Sequence, residues 1–218
     1  MEYRSTNQTD VSFATGDFYL SAQNVDINGV VPDDENHRIN LRMRAEKEYN
    51  KFKASFNVNY TQGKYDITTQ PGRDESVYWN LVNTPMQIPI TKFKDWENDY
   101  WSNPNGYFND YYFNPYHIID NYRTNGRSDD FLGNIELNYK VASWMNLTYR
   151  LGASVTNTTA KSTTGSFVYS QFAKASGKSS AQSGDITAAV SDATAFSSRI
   201  TSELFATFNK RVKDFNFD

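Results

Sequence analysis

From Lys51 onward, apolar and polar residues alternate for ten positions. Phe52, Ala54, Phe56, Val58 and Tyr60 fall on one side, and Lys53, Ser55, Asn57, Asn59 and Thr61 on the other. A period of two marks a β-strand with one apolar and one polar face. Ile39, Leu41, Met43 and Ala45 repeat the pattern, as do Ile135, Leu137, Tyr139 and Val141. The longest run places Met145, Leu147, Tyr149, Leu151, Ala153 and Val155 on one face. Weaker alternation near Thr9–Ala14, Phe18–Asn24 and Ala195–Asn209 adds further strands, and another is expected to begin at Phe215.

Several runs hold their alternation for about ten residues, against about 5–6 for an ordinary strand. A strand that crosses a bilayer at a tilt needs about 9–11. Short turns are expected near Thr15–Asp17, Tyr49–Lys51, Ala142–Trp144 and Lys210–Asp214. Longer links are expected near Gly29–Asn36 and at about 66–128 and 158–194. Short turns at one end and long loops at the other are the layout of outer-membrane barrels. Tyr49, Phe52, Tyr139, Trp144, Phe208 and Phe215 gather at the short-turn end, as an interfacial girdle would. The alternation alone also describes a soluble antiparallel sheet lying on a core. Strand length and turn asymmetry favour the membrane reading. The expected fold is all-β: an antiparallel up-and-down transmembrane β-barrel segment, about seven or eight strands of a larger barrel, with long extracellular loops.

Composition narrows the function classes. No apolar run exceeds three residues, so no transmembrane helix is expected, and no signal peptide is legible. A net charge of −3 gives no reason to expect nucleic-acid binding. The absence of cysteine excludes disulfide scaffolds and thiol chemistry. The two histidines, His37 and His117, stand far apart, so neither a metal site nor another cofactor is expected. Aromatics make up 16% of the chain, which argues against disorder.

The first long loop holds three of the four tryptophans, Trp79, Trp96 and Trp101, together with Tyr116 and many other rings. Such rings can stack on sugars or grip peptides, or can form the loop's own small core. Ser76–Asn83 reads as a helical turn and Asn103–Gly106 as a tight turn. The second loop, rich in Ser, Thr, Ala and Gly, reads as mobile and solvent-exposed. Enzyme signals are thin. Asp95, Glu97, Asp99 and Asp110 lie among aromatics, and Asp33-Asp34-Glu35 is an acidic run best read as solvated charge. No nucleotide-binding, serine-hydrolase or zinc-protease motif is present, and the chain is not expected to be an enzyme.

Several segments resemble the SusC/RagA family of TonB-dependent outer-membrane transporters of Bacteroidetes. Asp17-Phe18-Tyr19-Leu20-Ser21-Ala22, running on to Gly29-Val30-Val31-Pro32, is similar to that family's YYLSA…GVVP strand and loop. Arg38-Ile39-Asn40-Leu41-Arg42 resembles its next strand, and Asn114-Pro115-Tyr116 with Asn121 a loop segment. Leu132-Gly133-Asn134-Ile135-Glu136-Leu137 through Trp144-Met145-Asn146-Leu147 resembles a hairpin, and Phe208-Asn209-Lys210 a strand end. The resemblance implies a 22-stranded barrel, an N-terminal plug, a TonB-contacting segment and a SusD-like surface lipoprotein as lid. It implies import of large nutrients, glycans or peptides, across the outer membrane of a Gram-negative cell. On this reading residues 1–218 are an internal part of the barrel domain, without plug or signal peptide. The lipid faces would be apolar. Arg42, Arg44, Lys53, Asn57, Asn134, Glu136, Asn138 and Arg150 would face the lumen. Trp79, Trp96, Trp101 and Tyr116 would lie near substrate or partner. Two rival readings are a secreted carbohydrate-binding β-sandwich that uses the aromatic loop, and a surface glycoside hydrolase that uses Glu97 or Asp99.

Overall fold

The structure, a computed structural model, describes residues 4–69, 76–107, 112–175, 184–212 and 215–217. Seven strands pair in chain order into one antiparallel sheet. They are β1 (Ser5–Thr15), β2 (Phe18–Asn28), β3 (Glu35–Tyr49), β4 (Phe52–Thr68), β5 (Tyr122–Ala142), β6 (Met145–Thr164) and β7 (Ala189–Phe208). The fold is therefore all-β, antiparallel and up-and-down. Among the described residues the sheet is not closed, and β1 and β7 are its edges. Two further strands, β8 (Lys210–Val212) and β9 (Phe215–Phe217), pair with each other in a separate small ladder. Phe215 thus begins the return strand of a hairpin opened at Lys210, and not an eighth strand of the sheet.

The short turns have simple causes. Gly16 takes a positive φ between β1 and β2, and Asn50 does so between β3 and β4. Asn tolerates the left-handed region better than most side-chain-bearing residues. Both turns leave two residues between paired strand ends.

The strands run further than their alternation predicts. The long links are 69–121 and 165–188 rather than 66–128 and 158–194. The physical reason is visible in β5. From Tyr139 back to Phe131 one face is apolar, but Asp129, Arg127 and Asn125 continue that same face. Once both faces are polar the period-two signal disappears, although the backbone ladder persists. Thr-rich stretches such as Thr156–Thr164 keep good strand propensity without any apolar mark.

The register aligns the apolar positions into a band. Phe18, Ala45, Phe56, Ile135, Leu151 and Ser202 form one row across six strands. Phe52 and Tyr139 pair at the short-turn edge of the band, and Tyr60 and Phe131 pair at its other edge. The nine positions from Phe52 to Tyr60 span about 26 Å at about 3.3 Å per residue. Among the described residues no second layer covers this face. Ile135 and Leu204 are 45% and 67% exposed there.

The register is also sheared. Phe18 adjoins the first short turn, yet its row reaches β6 at Leu151, six residues beyond Met145, where β6 leaves its own short turn. Six residues over four strand steps correspond to an inclination of about 45°, at about 3.3 Å per residue and about 4.8 Å per strand.

The buried core lies in the loops. Helices α1 (Val77–Val82) and α2 (Pro115–Asn121) bring Val77, Ile118 and Ile119 against Val31 and Tyr122, with Phe113 and Tyr116 packed around them. Ser76 caps α1 and Asn114 caps α2, with Pro115 in the first turn of α2. Proline costs nothing there because its missing N–H would have no intrahelical partner.

Candidate functional site

Two regions carry the residues singled out by sequence. The first is the polar face of the sheet. A cleft of about 620 Å³ is lined there by Arg42, Arg44, Lys53, Asn57, Asn134, Glu136 and Arg150. Asn138 lies one row nearer the short turns, in a smaller recess with Lys53 and Thr148. The eight positions therefore share a face because each sits at even spacing on β3 to β6, and the register brings them together.

Most charges in the cleft are paired. Arg150 Nε donates to Glu136 Oε2 at 2.6 Å, and Asn138 Nδ2 donates to Glu136 Oε1 at 2.8 Å. The Arg150 guanidinium also lies 5.0 Å from the centre of the Phe205 ring. Lys53 Nζ stands 2.7 Å from Glu46, with Arg44 at 3.8 Å from the same carboxylate. Among the described residues Arg42 forms no ion pair. Asn57 Oδ1 is buried there without a hydrogen-bond partner among the described residues. Further from the turns a relay crosses four strands: Gln23 donates to Asp10 (2.7 Å), Asn40 to Gln23 (2.6 Å) and Thr61 to Asn40 (2.8 Å). Solvent-exposed pairs of this kind add little stability. They give the face many hydrogen-bonding groups, with most of its charges paired.

The second region is a cap built from the two long loops. Arg123, the second residue of β5, joins three segments. Its guanidinium donates to Asp66 Oδ1 (2.6 and 3.0 Å), to Asp34 Oδ1 (3.1 Å) and to the Asp33 carbonyl (2.6 Å). Asp34 Oδ1 also accepts from the Thr68 amide and hydroxyl at 2.7 and 2.8 Å. Asp33 adopts positive φ to make this turn. The reading of the acidic run as solvated charge is corrected for Asp34 alone, which is mostly buried and held by Arg123, while Asp33 and Glu35 are exposed.

Asn114 and Asn80 hold the interior of the cap. Asn114 is buried, and its amide donates to the Phe93 and Ser102 carbonyls, both at 2.7 Å, while its Oδ1 accepts from the Tyr116 amide. Asn80 Oδ1 accepts from the Phe113 amide at 2.6 Å. Gly106 closes the Asn103–Gly106 turn so tightly that a Cβ there would stand 2.0 Å from the Tyr100 carbonyl oxygen. Replacing Asn114 by Ala orphans two buried carbonyls and removes a cap, so a loss of about 2–3 kcal/mol is expected. Faster proteolytic cutting between residues 94 and 107, with the sheet intact, is the measurement. An unchanged cutting rate would remove Asn114 from the role.

The second long loop docks on the first, which corrects the expectation of a mobile, solvated segment for its described part. Ser170 N donates to Asn105 Oδ1 at 2.7 Å, and Gly165 N to the Asn121 carbonyl at 2.8 Å. Tyr169 is buried within helix-flanking chain ahead of α3 (Gln171–Ala175), where burial pushes its phenol pKa well above the ordinary value. A Cβ on Gly165 would lie 2.0 Å from Asn121 Oδ1. Gly165→Ala should therefore part the two loops locally, read as raised amide exchange at Ser170, and unaltered exchange would show that the contact does not matter.

The four aromatic candidates separate. Trp96 is half-buried, its indole N–H donating to Asp120 Oδ2 at 2.6 Å and its ring edge-on to His117 at 4.8 Å. Tyr116 packs on the buried cluster. Trp79 is half-buried with its ring 6.2 Å from Tyr112. Only Trp101 is largely open, 69% exposed beside Tyr100. Asp95 and Asp99 act as turn formers: Asp95 accepts from Asn98, and Asp99 from Ser102 and from the Trp101 amide. Asp110 lies outside the described residues. Sequence reading missed Arg123, Asn114, Asn80 and His117 as organisers. Arg123 falls inside the loop expected at about 66–128, so no strand pattern marked it.

No protein-family model matches the chain, and no curated protein resembles it significantly.

Proposed function

We propose that the chain is part of the barrel wall of an outer-membrane transporter for large polar nutrients, of the TonB-dependent SusC/RagA kind. The observation that carries this reading is the uncovered apolar band, bounded by aromatic rows and set on a sheared register. An inclination of about 45° and a strip of nine alternating positions match the tilt and length of membrane-crossing strands. A β-sandwich would bury that face against a second sheet, whereas lipid covers it without one. The open edges at β1 and β7 call for neighbouring strands, because unpaired backbone groups are untenable in hydrocarbon. The opposite face, rich in Asn, Thr, Ser and paired charges, supports a passage for hydrated solutes such as oligosaccharides or peptides. The exposed rings of the cap, Trp101 and Tyr100 foremost, support contact with ligand or with a SusD-like lipoprotein. The chain's part is to form wall and mouth, with TonB acting through another segment of the transporter.

Trp144, stacked on Phe208 at the short-turn edge, is the one tryptophan outside the cap. In the barrel completed by its neighbouring strands, with every other tryptophan replaced by Phe, Trp144 fluorescence should be quenched by lipids brominated near the headgroup, and less by lipids brominated near the chain ends. Absence of quenching in both cases would sink the membrane reading. For the transport reading, deleting the gene segment from its host should abolish growth on a particular glycan or peptide and spare growth on simple sugars. Undiminished growth on every polymer supplied would refute it.

A further inference from the structure

His117 sits where the two long loops meet. Its side chain is 1% exposed on α2. The Trp96 ring of the first loop stands 4.8 Å away, Phe167 of the second loop 5.9 Å, and Tyr122 at the start of β5 6.2 Å. Its Nδ1 is buried and has no hydrogen-bond partner among the described residues. The ionisable groups on the packed elements are Asp120 on α2, held by the Trp96 indole; Asp95 and Glu97, exposed on either side of Trp96; Tyr122; Arg123 with Asp34 and Asp66; and Tyr169 with Asp185 and Lys174 beyond it. None of them hydrogen-bonds the imidazole, so no carboxylate stands ready to balance an imidazolium. We propose that His117 is an acid-releasable latch: neutral, it lets the two loops close on one another, and protonated, it forces them apart.

The sign follows from solvation. Burial pushes the His117 pKa down to about 4, from an ordinary value of 6.5. Rings attract a cation over their faces, but that attraction does not make up for the water and counter-charge withheld here. The closed arrangement is thus undiminished above about pH 6.5 and loses ground as pH falls toward 4. Between those two values the closed-to-open ratio at pH 5 should be about 30-fold lower than at pH 8. The latch is independent of the transport reading, since it concerns only how the loops hold together.

The chain contains no cysteine, so a single one serves as reporter. Ala173 in the second loop is buried. Labelling of an Ala173→Cys chain by dithiodipyridine, expressed as protection relative to the urea-unfolded chain at the same pH, should show the 30-fold fall from pH 8 to pH 5. The far-UV strand signal should stay constant across that range. The same chain carrying His117→Phe should keep its protection at pH 5. Protection that ignores pH, an equal fall in the His117→Phe chain, or labelling at pH 8 as fast as in the unfolded chain would each overturn the latch. Should His117→Phe fail to fold, a His37→Gln chain leaves a single imidazole signal for proton NMR. A midpoint below pH 5 upholds the proposal, and one near 6.5 refutes it.

Discussion

Arginine in place of Leu151 or Ile135 should cost the folded chain roughly 2–4 kcal/mol in a bilayer, and arginine in place of Asn57 under about 1 kcal/mol. Leu151 and Ile135 pair directly in the middle of the apolar band, with Phe56 beyond them. Asn57, one residue along from Phe56, points to the opposite face and lines the polar cleft. Depth matters as well as face. Leu147 pairs with Tyr139, at the aromatic edge of the band. Arginine there can reach the interface, and its cost should fall to about 0–1 kcal/mol. Folding of the barrel completed by its neighbouring strands into lipid vesicles, followed through urea titration, measures all four. The decisive pattern is large cost at Leu151 and Ile135 with small cost at Leu147 and Asn57. Equal costs at Leu151 and Asn57 would mean that the apolar face does not meet lipid.

Arg123→Ala should destabilise the cap by about 2–4 kcal/mol. Breaking a buried pair from one side typically costs about 3–5 kcal/mol, because a charge is left without its partner. The figure is lowered here because Asp66 is partly open to water, although Arg123 and Asp34 are 17% and 18% exposed. Arg123→Lys should recover less than half of the loss. A single ammonium cannot span Asp34, Asp66 and the Asp33 carbonyl as a planar fork does. Three of the four tryptophans lie in the cap, so their fluorescence reports its unfolding in urea while strand dichroism reports the sheet. A midpoint unmoved by Arg123→Ala would mean that the loops are held by packing alone.

The sheet was largely legible because a strand with unlike faces writes its geometry into every second residue. Phe52 to Tyr60 and Met145 to Val155 could be assigned to strands and faces without coordinates. Together with the runs at Ile39–Ala45 and Ile135–Val141, those assignments put Arg42, Lys53, Asn134 and Arg150 on the polar side of their strands. The upper strand ends were illegible for the same reason: Lys64, Arg127 and Lys161 stand where apolar residues stand lower down, so the alternation has nothing to alternate. The cap was illegible for a different reason. Asn114, Asn80 and Arg123 work through hydrogen bonds to backbone groups distant in sequence, and such bonds leave no periodic trace. Trp96 and Tyr116 look in sequence like ligand-facing rings and lie half-buried against the cap. Ring content alone does not distinguish a binding surface from a small core.

The strands are of unequal length: 11 residues in β1 and β2, and 20 or 21 in β5, β6 and β7. Set upright with their short turns level and tilted by about 45°, the long strands rise about 20 Å above the short ones. The rim of such a wall is a slope, with a low sill beside β1 and a parapet beside β5 to β7, and the cap is mounted on the high side. If the chain is the transporter wall proposed above, a bulky solute arriving at the mouth would meet the sill first and come to rest against the parapet. The approach is then from one side, and a partner that closed the mouth would swing down over the sill.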